Sequence, residues 1–274
     1  MRFSVRWRIE GKELAVLWRA SIDDSADRNR EKVIISACLI GDSERWRDLV
    51  RPWKVKLATH NLHYFKSSEC GALSGEFLQF RSEHKYPKPT GREAADKIRD
   101  DLDQIIKDSE VRGIGVIVPV PAFNKIYAEP RYAALISSDP YEWAVQILWN
   151  QCAKGMEELG RNNIVTFAHD DGDNYDRLRN LFRDYKAKNP RNGRRMADFV
   201  PLDDKKHPTI QAADVAASVT QRFAVEWAED PNEATLKRLK TSMHKIVVSK
   251  EEWTREALEQ IILFREKRVK VAKA

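Results

Sequence analysis

Two apolar runs, LAVLWRASID at 14–23 and KVIISACLI at 32–40, are separated only by the charged segment DSADRNRE. Runs this short and this apolar read as strands, and so brief a polar connection makes them an antiparallel hairpin. Beyond the hairpin, helices and strands alternate. Asp42 or Ser43 can cap a helix that carries Trp46, Leu49, Val50, Trp53 and Leu57 on one face, which assigns both tryptophans to the core. Residues 60–90 keep neither a helical nor a strand period. A helix over 90–107 opens with Thr90 and Glu93 in capping-box register. GIGVIVPV, 113–120, is a strand apolar on both faces, and Asp139, Pro140 and Glu142 start a helix that stops near Gly160. A strand at 163–171 ends in acids and leads into a helix over 174–186, a basic turn at 188–195 and a strand near 199–202. Pro208 then opens a helix to about 229. A hairpin succeeded by alternating strands and helices predicts an α/β fold, a mixed sheet flanked by helices.

The chain has 274 residues, enough for one large domain with a real core. We expect that domain to span 1–229, with 230–274 a helical extension packed on it, built of helices near 231–242 and 250–268 and a basic tail. Lys and Arg number 48 against 42 Asp and Glu, a net charge of +6 that suits a polyanionic partner without demonstrating one. Cys38, Cys70 and Cys152 are scattered and odd in number, which predicts reduced thiols rather than a disulfide framework. The first residues lack a signal-peptide core, and no apolar run is long enough to span a bilayer. The expectation is a cytoplasmic protein with no membrane partner.

The acids carry the chemistry. Asp23 and Asp24 stand where the first apolar run meets its turn, and Asp170 and Asp171 repeat that arrangement after a later strand, with Asp173 and Asp176 close behind. Either pair alone is ordinary turn chemistry, since aspartate bonds its own backbone. An EF-hand loop fails on DDGDNYD: counted from Asp171, Tyr175 and Asp176 occupy positions for an acid or amide and for glycine, and Phe182 stands where glutamate is required. The most unusual carboxylate is Asp214, in HPTIQAADVAA, three residues after Gln211 on a helix of small apolar residues. A carboxylate packed there needs a partner, either a cation or an arginine such as Arg222.

SIDDSA with the VIISACLI run after it, VTFAHDDGDN, and FVPLDDKKHPTIQAADVAA, in this order, resemble the family known as domain of unknown function 3800 (DUF3800), grouped with the ribonuclease-H-like superfamily. The resemblance covers most of residues 15–225. Asp23, Asp24 and Ser25 match the family's opening Asp-Glu-Ser, while Ala26 departs from its glycine. Asp170 matches its late-strand aspartate, Gln211 and Asp214 its Gln-x-x-Asp helix motif, and His63 in LHYFKSSE its histidine, with Glu69 a further carboxylate. The resemblance implies a ribonuclease-H-like domain whose Asp23, Asp170 and Asp214 hold Mg2+ or Mn2+, with Asp24 or Glu69 a fourth ligand and His63 or His169 handling protons. One or two such ions activate water and stabilise a leaving oxygen, as phosphodiester cleavage requires.

These readings predict a metal-dependent nuclease or related phosphodiesterase acting on DNA or RNA. The alternative is a non-catalytic module that binds nucleic acid, or a protein partner through the C-terminal helices. His60 and His63 lack a second ligand pair for zinc, and His207 before Pro208 reads as helix entry. Lys188, Arg191, Arg194 and Arg195, and the tail residues Arg265, Lys267, Arg268, Lys270 and Lys273, are candidate phosphate contacts or a solvated face. Without interleaved aromatics neither run implies single-strand preference.

Overall fold

In the computed structural model, the described residues are 8–9, 12–13, 16–81, 90–160, 162–172, 174–230 and 245–250, with 234–235, 237, 243, 254–256 and 258–259. Short strands β1 (Arg8–Ile9) and β2 (Lys12–Glu13) pair with each other. A six-stranded mixed sheet is the centre of the fold. Its strands are β3 (Val16–Ala26), β4 (Val33–Gly41), β5 (Arg112–Pro119), β6 (Asn163–Asp170), β7 (Met196–Leu202) and β8 (Lys245–Val248), in the order β7-β6-β3-β4-β5-β8. Strands β3, β4 and β5 run antiparallel in succession, whereas β6 lies parallel to β3 and β7 parallel to β6. The α/β expectation holds at this level.

The helices are α1 (Ser43–Thr59), α2 (Ser67–Ala72), α3 (Thr90–Asp108), α4 (Val120–Tyr127), α5 (Pro130–Ala133), α6 (Pro140–Leu159), α7 (Tyr175–Lys188), α8 (Pro190–Gly193) and α9 (Pro208–Glu229), with a 3-10 turn at Gly75–Phe80. Two of them, α1 and α6, keep the caps expected from the sequence. The Asp42 side chain accepts the Arg45 amide at the start of α1, the Asp139 side chain accepts the Tyr141 amide at the start of α6, and Gly160 closes α6 at φ 128°. Two cores form, one on each face of the sheet. Trp18, Ala20 and Ile22 of β3 belong to the core on the α6 side, while α1, α3 and α9 cover the other face with Trp46, Trp53, Ala212 and Val215 buried.

Two expectations change. The first strand does not stop at Asp23: pairing with β4 continues to Ala26 opposite Ile34, so Asp23 and Asp24 lie inside the strand and point to opposite faces. Asp27, not Asp23 or Asp24, closes the hairpin turn, its carboxylate accepting the amides of Glu31, Lys32 and Val33. The region after residue 230 is not purely helical, because the β-branched segment KIVV forms β8 and pairs parallel with β5. Most of the helices expected near 231–242 and 250–268, and the basic tail, lie outside the described residues. No described helix is long and apolar enough to cross a membrane.

Trp149 of α6 is fully buried and its ring meets Phe167, Phe182, Tyr185 and Phe199, tying α6 and α7 to β6 and β7. Truncating it leaves a cavity among rings that cannot collapse. Trp149→Ala should therefore lower unfolding free energy by about 3–5 kcal/mol, read from urea denaturation; a change within experimental error would show that this cluster does not hold the layers together.

Candidate metal centre

Parallel strands bring their carboxyl ends to one side of a sheet, and ligands gather in the crevice beyond those ends where the chain switches direction across the sheet. Here the switch falls between β3, which leads to β4 and β5 on one side, and β6, which leads to β7 on the other. Asp170 ends β6 one step beyond the Ile22–His169 pair, beside Asp23. Asp204 lies two residues past the end of β7. Asp214 lies on the second turn of α9, which packs across β3 and β4. Asp23, Asp24, Asp170, Asp204 and Asp214 all line one cavity of about 360 Å³, together with Lys66, Gln211 and several serines.

One buried amide assembles much of this wall. Gln211 is 2% exposed, and its carbonyl accepts from Trp53 Nε1 at 3.1 Å and the Phe65 amide at 3.3 Å. Its amino group donates to the Asp204 and Lys205 carbonyls at 2.8 and 3.3 Å. A single side chain thus fastens the segment before α2 and the turn after β7 onto α9. Beside it, the Asp214 Oδ2 accepts the Ser67 amide at 2.6 Å. Arg222 is exposed, so the arginine partner considered for Asp214 is replaced by a backbone donor and the cavity.

The charges do not balance. Lys66 is the one cation among the lining residues, its Nζ 2.6 Å from Asp204 Oδ2. Burial raises the Asp23 carboxyl well above the usual range, and the charges of Asp214, Asp24 and Asp170 push it further. Asp214 is raised to about 6 by burial, against the pull of the Ser67 hydrogen bond and the Lys66 charge. Asp170 is raised by burial and then by Asp204, with Lys66 opposing. Burial and mutual repulsion therefore disfavour the joint ionisation of Asp23, Asp170 and Asp214 beside a single lysine.

The remaining expected site residues are set apart from these four acids. Asp24 borders the cavity, but its side chain leaves β3 on the α6 side of the sheet, where Arg30 holds it at 2.8 Å; burial still raises its pKa. Glu69 does not line the cavity: its oxygens accept the Tyr64 hydroxyl at 3.0 Å and the Glu76 amide at 3.0 Å. It fills the space under Gly75, whose φ of 52° and lack of a Cβ make room for it. His63 is turned outward, its Nδ1 3.1 Å from Glu76 Oε2. His169 is buried on the α6 side between the Asp170 carbonyl, 2.9 Å from Nδ1, and the Tyr141 hydroxyl, 2.7 Å from Nε2. A carbonyl can only accept, so Nδ1 carries a proton. Neither histidine is among the residues that line the cavity.

The basic turn is also misplaced for this site. It precedes the start of β7, a seven-residue strand away from Asp204, which is about 20 Å along the sheet. Arg191 is already tied to Glu157 at 2.9 Å. Asp204 and Lys66 are the residues that sequence reasoning passes over. The signal for Asp204 is present: FVPLDD repeats the apolar strand with paired aspartates at its end that marks Asp23 and Asp170. Lys66 has none, because only the fold brings it across to the acids.

The donor set is all oxygen, which suits a hard divalent cation such as Mg2+ or Mn2+. No group of three or more His, Cys, Asp or Glu side chains that could hold a metal ion stands assembled among the described residues. No protein-family model matches the chain, and no curated protein is similar to it.

A carboxyl whose folded pKa exceeds its unfolded value costs stability when ionised. For Asp214 the cost is absent below about pH 4, grows as the unfolded chain ionises first, and is complete above about pH 6. In EDTA at pH 8, Asp214→Asn should melt several degrees above the parent protein, and the gap should close towards pH 4. Scanning calorimetry decides it: a lower melting temperature at pH 8 would mean that the charged form stabilises the fold.

Proposed function

We propose that the chain is a metal-dependent nuclease or related phosphodiesterase, of ribonuclease-H-like and DUF3800-like descent, acting on DNA or RNA. The observation that carries this reading is the convergence of Asp23, Asp170, Asp204 and Asp214 on one cavity with a single lysine among them. At the level of fold, the reading is supported by the mixed sheet with helices on both faces, which is the α/β class that the resemblance implies.

Asp23, Asp170 and Asp214 would hold Mg2+ or Mn2+, with Asp204 in place of Glu69 and Asp24 as the further carboxylate. Bound there, the cation supplies an activated water and stabilises charge on the leaving oxygen. The chain's own residues set up that exchange. Asp23 lies in a strand hydrogen-bonded on both sides, so its backbone has little freedom. The Ser67 amide fixes one oxygen of Asp214. Gln211 holds the Asp204 turn against α9, and Phe65 and Ile210 supply apolar lining beside the acids. The raised pKa values of Asp23, Asp170 and Asp214 mean that a cation drives out protons as it binds, so affinity rises with pH to about 6 and above.

Purified protein should cleave some member of a panel of single- and double-stranded DNA and RNA in Mg2+ or Mn2+ and not in EDTA. Asp23→Asn should reduce the rate at least about a hundredfold, as expected for loss of a group that holds the activating charge. Equal behaviour of the parent and an Asp23→Asn, Asp214→Asn double variant across the panel would refute the enzyme. Salt-sensitive binding that survives EDTA without turnover would identify the non-catalytic module instead.

A further inference from the structure

Lys66 enters the cavity between acids from three elements. Its side chain is 38% exposed, and its Nζ rests 2.6 Å from Asp204 Oδ2 while also feeling the charges of Asp170 and Asp214. The neighbouring cations are engaged elsewhere: Lys206 pairs with Asp203 at 2.7 Å, Lys205 lies over the Tyr64 ring, and Arg30 holds Asp24. The backbone that carries Lys66 is fixed, because the next amide, that of Ser67, donates to Asp214 and the preceding one, that of Phe65, donates to Gln211. A long flexible stem thus starts from a fixed point on the cavity wall and ends on Asp204, an acid of the turn after β7 rather than of the sheet itself.

With Asp23, Asp170, Asp204 and Asp214 ionised, Lys66 charged and Asp24 paired with Arg30, the formal charge of the wall is −3, from four negative groups and one positive. Such a wall repels a phosphate. A divalent cation and the lysine ammonium both seek the same oxygens, and two like charges held a few ångströms apart disfavour each other. We propose that Lys66 is the phosphate-contacting residue of this site, held in reserve on Asp204 until a divalent cation takes the carboxylates and frees its ammonium. This role rests on the metal-dependent reading of the cavity. A lysine suits it, since its ammonium is a compact point charge that reorients on a flexible four-carbon stem, where an arginine fork would hold the carboxylate more firmly and release it only in part.

Such a lysine couples two affinities that a purely structural ion pair would not. Lys66→Met should bind Mn2+ on the order of tenfold more tightly than the parent protein in calorimetry at low salt, because a competing positive charge is gone. The same variant, loaded with Mn2+, should bind inorganic phosphate on the order of tenfold more weakly, and Lys66→Arg should recover part of that loss. Melting curves of each variant check that it is folded. Tighter Mn2+ with weaker phosphate supports the assignment. Unchanged or weaker Mn2+ binding by folded Lys66→Met, when the parent binds Mn2+, overturns it and leaves the metal site standing. Absence of Mn2+ binding by the parent itself overturns the metal site and this role together.

Discussion

The four hydrogen bonds of the Gln211 carboxamide are the constraint on which the site depends. Amides buried in an apolar layer cost several kcal/mol unless every donor and acceptor is met, so a satisfied one fixes its partners tightly. The partners of Gln211 are an indole in α1, an amide before α2 and two carbonyls after β7, so that two successive segments are joined to a third remote from both along the chain. Two of those segments, and the helix that carries Gln211, deliver groups to the cavity. The stretch at the start of α2 brings Lys66 and Ser67, the turn after β7 brings Asp204, and α9 itself brings Asp214 one turn further on. The polar wall is therefore built by one neutral residue that carries no chemistry of its own.

The sheet supplies the complementary constraint. Strands β3, β6 and β7 run in the same direction and are adjacent, so their carboxyl ends form one continuous rim. The antiparallel strands β4 and β5 pack against the apolar faces of α6 and α9 and contribute no acid to the cavity lining. Stability and chemistry are thus divided across the sheet: the antiparallel half carries much of the two cores, and the parallel half presents the charges. The raised carboxyl pKa values at the rim are the cost of this division, borne by a fold whose cores hold Trp53, Trp149 and many smaller apolar residues away from water.

Much of this is legible in the sequence because it depends on local rules. The hairpin, the Asp42 and Asp139 caps, the Gly160 stop and the whole of α9 come from periodicity and capping. The acids at the ends of apolar strands announce Asp23 and Asp170, and the helix of small residues announces Asp214. The hidden part depends on distance. The 60–81 segment has no period because its order comes from Glu69 beneath Gly75, and from Gln211 and Asp214, contacts that no local pattern encodes. His63 and Glu69 have suitable residue types for a site, yet they bond the 3-10 turn and not the cavity. Strand β8 escapes notice because four residues are too few to carry a period.

Asp23 and Asp24 show why adjacency in sequence is a poor guide to shared chemistry. Inside a paired strand successive side chains leave by opposite faces, so the continuation of β3 to Ala26 sends the two carboxylates apart. Asp23 joins the acids beneath α9, whereas Asp24 meets Arg30 and the His169–Tyr141 pair on the α6 side. The two faces remain mechanically joined, since His169 bonds the backbone carbonyl of Asp170 and Asp170 itself faces the cavity. The α6 side thereby acts on the acids through the strand that both sides share: it holds the backbone at Asp170, while burial and the Asp204 charge on the cavity side raise its carboxyl.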